Sequence, residues 1–68
     1  MIKLGKYRHF KGNEYEVIAN ARHSEDLSEM VVYRRVHGDE IWVRPAYMWD
    51  EEVSVDGKIV KRFEYISE

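Results

Sequence analysis

The stretch MVVYRRVHGDEIWVRPAYMW, Met30 to Trp49, decides the fold. Two apolar-rich runs, Met30–Val36 and Ile41–Val43, flank the polar link His37-Gly38-Asp39-Glu40, which carries glycine at its turn. That pattern predicts a β-hairpin. Arg44-Pro45 closes the second strand, because proline has no N–H for the ladder and pushes the preceding residue away from the α region. Ala46–Trp49 then fits one tight 3₁₀ turn led by Pro45.

With Gly38-Asp39 as a two-residue turn, the expected pairs are Val36–Ile41, Arg35–Trp42, Arg34–Val43 and Tyr33–Arg44. Val32, Val36, Ile41 and Val43 then share one face, interrupted only by Arg34, and this face reads as core. Val31, Tyr33, Arg35, Trp42 and Arg44 share the other, an aromatic–arginine surface suited to stacking a planar group and holding an anion. Cross-strand cation–π packing that merely stiffens a sheet would leave the same pattern.

Outward from the hairpin, Glu14–Arg22 alternates strictly. Tyr15, Val17, Ala19 and Ala21 take one face, and Glu14, Glu16, Asn20 and Arg22 the other, with Ile18 breaking the rule on the polar side. Gly5 opens a short strand ending at Phe10, and Lys11-Gly12-Asn13 is a turn. His23–Glu29 is a polar loop, pinned by Leu27. Asp56-Gly57 marks a second hairpin between Asp50–Val55 and Lys58–Ile66. Treating Lys58–Ile66 as one strand, a three-residue loop with a Gly57 bulge puts Val53, Ile59, Phe63 and Tyr65 on one face, so it is preferred to a two-residue turn. Asp50-Glu51-Glu52 can then lie opposite Lys61-Arg62. The expected core is Tyr15, Val17, Ala19, Val32, Val43, Val53 and Phe63.

Five or six short strands, no long helix and one 3₁₀ turn around Pro45–Trp49 predict an all-β, partly open barrel, SH3-like before OB-like. With 68 residues the chain is one small domain, residues 1–68, with 1–4 and 67–68 expected to fray. It has no cysteine, so no disulfide or thiolate zinc site supports it, and nine aromatics must supply much of the core. A net charge of −2 argues against a general nucleic-acid coat. The balance is nevertheless uneven, near +3 over residues 1–22 and −3 over 45–68. No apolar run suits a signal peptide or a membrane span, so a cytoplasmic location away from membranes is expected.

Candidate chemistry is sparse. Arg22-His23-Ser24-Glu25 sits where the long strand enters its loop, but adjacent residues on a strand point apart, so His23 and Ser24 do not make a dyad by spacing. His9, His23 and His37 have no metal-binding spacing, and neither metal nor cofactor is expected. No phosphate loop or nucleotide fingerprint is present.

Several linked motifs resemble a known family. They are Gly5-Lys6-Tyr7-Arg8-His9-Phe10-Lys11-Gly12 with Tyr15 and Val17, Ala21-Arg22-His23-Ser24-Glu25, Val31-Val32-Tyr33-Arg34, Trp42-Val43-Arg44-Pro45, and Gly57 with Arg62-Phe63. In that order, over about residues 5–66, the chain is similar to the bacterial domain of unknown function 1653 family. The chain departs from it at His37–Glu40, where the family has an aromatic and a longer loop, and at Lys61, where proline is frequent. The resemblance implies a compact β-barrel-like domain and no assigned activity. It adds Arg8, His9, Arg22, His23, Ser24, Glu25 and Arg44 as polar members of the motifs.

Two functions follow as expectations. One is a non-enzymatic binding module whose face of Tyr33, Arg35, Trp42 and Arg44, extending toward Arg22 and His23, takes a peptide, a protein or a single-stranded nucleic acid. The other is a small anionic-ligand site or minor enzyme built on Arg22, His23, Ser24 and Arg44, which requires those groups to converge.

Overall fold

The computed structural model describes all residues, Met1–Glu68. Strands β1 (Gly5–His9), β2 (Glu14–Arg22), β3 (Glu29–Arg35) and β4 (Ile41–Pro45) form an antiparallel meander. A single helical turn, α1 (Ala46–Trp49), and a separate hairpin, β5 (Glu52–Val55) with β6 (Lys58–Lys61), follow. Strand β7 (Phe63–Ser67) then returns to pair with β1, giving a five-stranded sheet of order β4-β3-β2-β1-β7. Strands β4 and β7 do not pair with each other. The result is a partly open, SH3-like barrel with a seam between its two edge strands.

The central hairpin keeps its residues but not its turn. Tyr33 pairs with Trp42, Val32 with Val43 and Arg34 with Ile41, so the register is two residues from the expected one and the link runs from Arg35 to Glu40. A turn at Arg35–Gly38, closed by the Gly38 N–H to the Arg35 carbonyl at 3.0 Å, takes up the difference. A shift of two leaves the membership of each face intact. What reverses is which face is inside. Val31 is fully buried at 0 % exposure and Tyr33 nearly so, whereas Val43 is 62 % and Ile41 61 % exposed. Val43 is therefore not core. Burying Tyr33 and most of Trp42 removes far more apolar area from water than burying Val43 and Ile41, and the larger area wins.

Ile18, which broke the alternation, marks a bulge. The pairing slips between Val17 opposite Tyr33 and Ala19 opposite Val32, and beyond it Asn20 lies opposite the buried Val31. Ala19 and Ala21 therefore turn to the outer side and Asn20 turns inward, the reverse of strict alternation. The Asn20 side chain is satisfied there. Its Oδ1 accepts from the Ile2 N–H at 3.0 Å and its Nδ2 donates to the Ile2 carbonyl at 2.9 Å. Ile2 packs on the core, Tyr7 Oη donates to the Lys3 carbonyl at 2.8 Å, and the Met1 ammonium pairs with Glu29 at 3.1 Å.

Two local expectations are corrected. The turn after Pro45 is α-type, with the Asp50 N–H donating to the Ala46 carbonyl at 3.2 Å. The 55–58 link is a two-residue turn pairing Val55 with Lys58 and Val53 with Val60, with Asp56 at φ 51° and Gly57 at φ 80°. Two positive φ values are what a type I′ turn needs, and they match the right-handed strand twist. The bulged loop follows only if Lys58–Ile66 is one strand. A break at Arg62 separates β6 from β7, so Phe63 and Tyr65 need not share a face with Ile59. The acidic run does meet the basic pair: Glu52 lies opposite Lys61, and Arg62 pairs with Glu51 at 3.0 Å.

The core is Tyr7, Val17, Val31, Tyr33, Trp49 and Phe63, drawn from β1, β2, β3, α1 and β7. Of the expected core residues, Val17 and Phe63 are buried, and Tyr15, Ala19, Val32 and Val53 are half-buried. No helix is long and apolar enough to cross a membrane.

Candidate functional site

The aromatics that fill the barrel also surface along its seam. Trp49, carried by α1 beneath the sheet, stacks flat on Phe63 at 3.7 Å between centroids and an interplanar angle of 2°. Tyr33 meets Trp49 edge-on at 4.8 Å, Tyr15 at 5.7 Å and Trp42 at 5.8 Å. Tyr15 meets Phe63 at 5.7 Å, and His9 meets Phe63 at 4.9 Å. Trp49 is enclosed at 1 % exposure, and its indole N–H has no acceptor. Trp42, Tyr15 and His9 are half-buried, one flank on the core and the other open.

Cations lie over these rings. The Arg35 guanidinium is 5.7 Å from the Trp42 ring centre. Arg44, on the edge strand β4, is 5.9 Å from the Tyr33 ring and 5.4 Å from that of Phe63 on the opposite edge, so its side chain spans the seam. Both distances are within cation–π range. The other arginines are engaged elsewhere. Arg8 pairs with Glu14, Arg34 with Glu16 and Arg62 with Glu51, while Arg22 donates to the Leu27 carbonyl at 3.1 Å. Arg35 and Arg44 alone among the arginines have neither a side-chain hydrogen bond nor a carboxylate partner.

His9 joins the site from β1. Its Nδ1 accepts the Lys11 backbone N–H at 3.1 Å, which leaves the proton of the neutral ring on Nε2. Burial holds its pKa below the ordinary histidine range, and the positive charges of Arg62, Arg44 and Lys11 add to the effect. At the other end, Arg35 and Trp42 line a shallow recess of about 290 Å³ with Gly38, Asp39 and Glu40. Cations thus lie over both Trp42 and Phe63, and the carboxylates Asp39 and Glu40 stand beyond Trp42.

Tyr33, Arg35, Trp42 and Arg44 are therefore brought together, although Tyr33 contributes mainly from the core. Arg22 and His23 are not part of this grouping. They lie where β2 enters its loop. Arg44 is level with Asn20, two residues before Arg22, but its guanidinium turns to Tyr33 and Phe63 while Arg22 donates to its own loop. Their partners belong to the 23–28 loop: His23 Nδ1 accepts the Glu25 N–H at 3.1 Å, and Asp26 Oδ1 accepts the Ser28 N–H at 2.9 Å. That bond lowers the Asp26 pKa. Leu27, expected to pin this loop, is exposed at a positive φ of 61°. Arg22, His23, Ser24 and Arg44 do not converge. No group of three or more His, Asp or Glu side chains is placed to hold a metal ion.

Sequence reading missed Phe63 as a neighbour of Arg44, and His9 and Tyr15 as neighbours of Phe63. Each was placed on its own strand, but only the return of β7 beside β1 brings them to the seam.

This geometry defines a small SH3-like barrel domain with an aromatic, arginine-bearing seam. The chain belongs to the DUF1653 family, described as a protein of unknown function, whose model matches residues 5–65. A crystal structure of a DUF1653 protein from Bordetella bronchiseptica superposes with a TM-score of 0.86 at 30% identity, covering 97% of this chain and 88% of that one. No curated protein matches the chain.

Proposed function

We infer that the domain is a non-enzymatic binding module whose seam takes a planar, anionic ligand on Trp42, Arg35 and Arg44. One observation carries this reading: the two arginines without a partner both lie over aromatic rings of the same face. A guanidinium paired with a carboxylate is already neutralised, whereas one held only over a ring keeps its donors for an incoming anion. Half-buried Trp42 offers a rigid flank for stacking at little conformational cost. The reading excludes Arg22 and His23, which serve their own loop.

The test is a chemical-shift titration of the full chain with nucleotides, short oligonucleotides and anionic metabolites at low salt. Shifts centred on Trp42, Arg35 and Arg44, and lost in an Arg35→Gln/Arg44→Gln variant that keeps its melting temperature, are the expected result. Shifts confined to the 23–28 loop, or surviving the double substitution, would place the site elsewhere.

A further inference from the structure

We propose that the ligand of this seam is a short single-stranded nucleic acid, with bases against Trp42 and Tyr15 and a phosphodiester held between Arg44 and His9. The proposal rests on the binding reading above and adds the chemical class of the ligand and a residue, His9, that contacts it.

The half-buried rings form a row. Trp42 and Tyr15 are 6.4 Å apart, and Tyr15 and His9 are again 6.4 Å apart. That repeat is about twice the 3.4 Å rise of stacked bases, so each ring matches one nucleotide of an unstacked strand rather than a compact duplex. Arg35 covers Trp42 at one end of the row, 5.7 Å from its ring centre, and a second pair of donors meets at Phe63. Arg44 lies 5.4 Å from the Phe63 ring and His9 lies 4.9 Å from the same ring, so both flank one point. With Nδ1 committed to the Lys11 amide, the His9 Nε2–H is the free donor there. Asp39 and Glu40, beyond Trp42, suit the exocyclic amino groups of a base and repel a phosphate. The Arg44 guanidinium and the free His9 Nε2–H thus assign the phosphate to the Phe63 end, with a base toward Trp42.

A phosphodiester would change the protonation of His9. Around the imidazole stand Arg44 from β4, Arg62 from the link before β7, Lys11 from the 11–13 turn and Tyr15 from β2. Arg8, Lys61 and Glu64 line the recess on its outer side. In the free protein the neighbouring cations and burial oppose the charged ring. An anion between Arg44 and His9 cancels part of that opposition and favours the imidazolium. The bound-state pKa then exceeds the free-state value. Binding is strongest below the free-state pKa and weakens as pH rises through the bound-state pKa. Each unit of rise corresponds to about a tenfold gain in affinity between the two limits.

A deoxydinucleotide with one phosphodiester is the probe, because its charge is constant across this range. It is titrated into the full chain between pH 5 and 8, with the matching nucleoside, inorganic phosphate and a tetranucleotide as further arms. The Trp42 indole and the His9 imidazole are followed by NMR. The dinucleotide is expected to shift Trp42, raise the His9 pKa and bind more tightly as pH falls, and the nucleoside to shift Trp42 alone. The tetranucleotide should bind at least tenfold more tightly than the dinucleotide. Arg44→Met, which keeps the aliphatic cover over Phe63, should weaken the dinucleotide about tenfold at 50 mM salt with an unchanged melting temperature.

If the dinucleotide shifts Trp42 but leaves the His9 pKa where it was, the phosphate assignment is overturned and the binding reading stands. If inorganic phosphate raises the His9 pKa as far as the dinucleotide does, or the tetranucleotide binds no more tightly, the nucleic-acid assignment falls. Silence of both Trp42 and His9 in every arm overturns the nucleic-acid proposal and, for nucleotide-like ligands, the seam itself.

Discussion

Val17→Ala and Val43→Ala, the same two methyl groups removed from two strands of one sheet, should have very different consequences. Val17 is 2 % exposed and opposite Tyr33, whereas Val43 is 62 % exposed on the outer side of β4. Two buried methyls at about 0.8 kcal/mol each give ~1.6 kcal/mol, and the cavity left among Tyr7, Tyr33 and Trp49 raises the Val17→Ala cost to about 2–3 kcal/mol. In a domain of this size each kcal/mol lowers the midpoint by roughly 4–8 °C, so the expected loss is about 10–20 °C. At Val43 little more than a third of the side chain is covered, worth about 0.6 kcal/mol, and reduced strand preference brings the total to no more than about 1.5 kcal/mol. Thermal unfolding followed by circular dichroism, with urea melts to check for a single transition, measures both. Equal costs at the two positions would refute the assignment of inner and outer faces. A Val43→Ala cost that grows with protein concentration would show instead that the outer face of β4 is covered by another molecule.

Three further outcomes are expected. Gly5→Ala should cost at least about 2 kcal/mol, because Gly5 holds φ at 135° and a Cβ there would lie 2.6 Å from the Ser67 carbonyl oxygen, and thermal unfolding will read it. Asn20→Ala removes both hydrogen bonds to Ile2 and should cost about 1–2 kcal/mol, with faster exchange of the Ile2 amide as its local signature. His9, whose folded pKa is lowered by burial and by Arg62, Arg44 and Lys11, contributes stability that is complete above its unfolded pKa and is lost as pH falls through the folded value. Urea melts at pH 7.5 and 5.5 should therefore show a smaller acid loss in His9→Gln than in the parent.

What the sequence made legible was local. The Asp56-Gly57 turn, the stop at Pro45 and the alternation of Glu14–Val17 are each written within a few residues, and each forms, whereas the Gly38 link makes its hairpin through a turn at Arg35–Gly38 instead of Gly38-Asp39. The Ile18 irregularity was visible too, but a broken alternation does not say whether a residue bulges or packs on a loop. Only the pairing with Val31 and Val32 resolves it. Membership of the Tyr33–Trp42 face was also legible, because a register shift of two preserves it. Its direction was not. Which side of a hairpin faces inward depends on where Trp49 and Phe63 arrive, and those residues come from beyond the hairpin. For the same reason Arg44 could be placed beside Tyr33 from sequence but not over Phe63. Arg22 and His23 read as continuous with the face because β2 ends close to the level of Arg44. Arg22 stands only two residues along β2 from that level, and what parts them is the direction of each side chain, Arg22 to the Leu27 carbonyl and Arg44 to the Tyr33 and Phe63 rings.

The return of β7 to β1 also bears on the order in which the domain assembles. Pairing Tyr7 with Tyr15 closes a short loop, whereas pairing Tyr7 with Tyr65 closes nearly the whole chain. That is about three doublings of loop length, or roughly 2 kcal/mol of additional closure entropy. The meander of β1 to β4 can form before that cost is met, and the Trp49–Phe63 stack cannot form until β7 arrives. Substitutions at Val31 should then slow folding, and substitutions at Phe63 should chiefly speed unfolding. The seam is thus the last part of the molecule to close and the first to open.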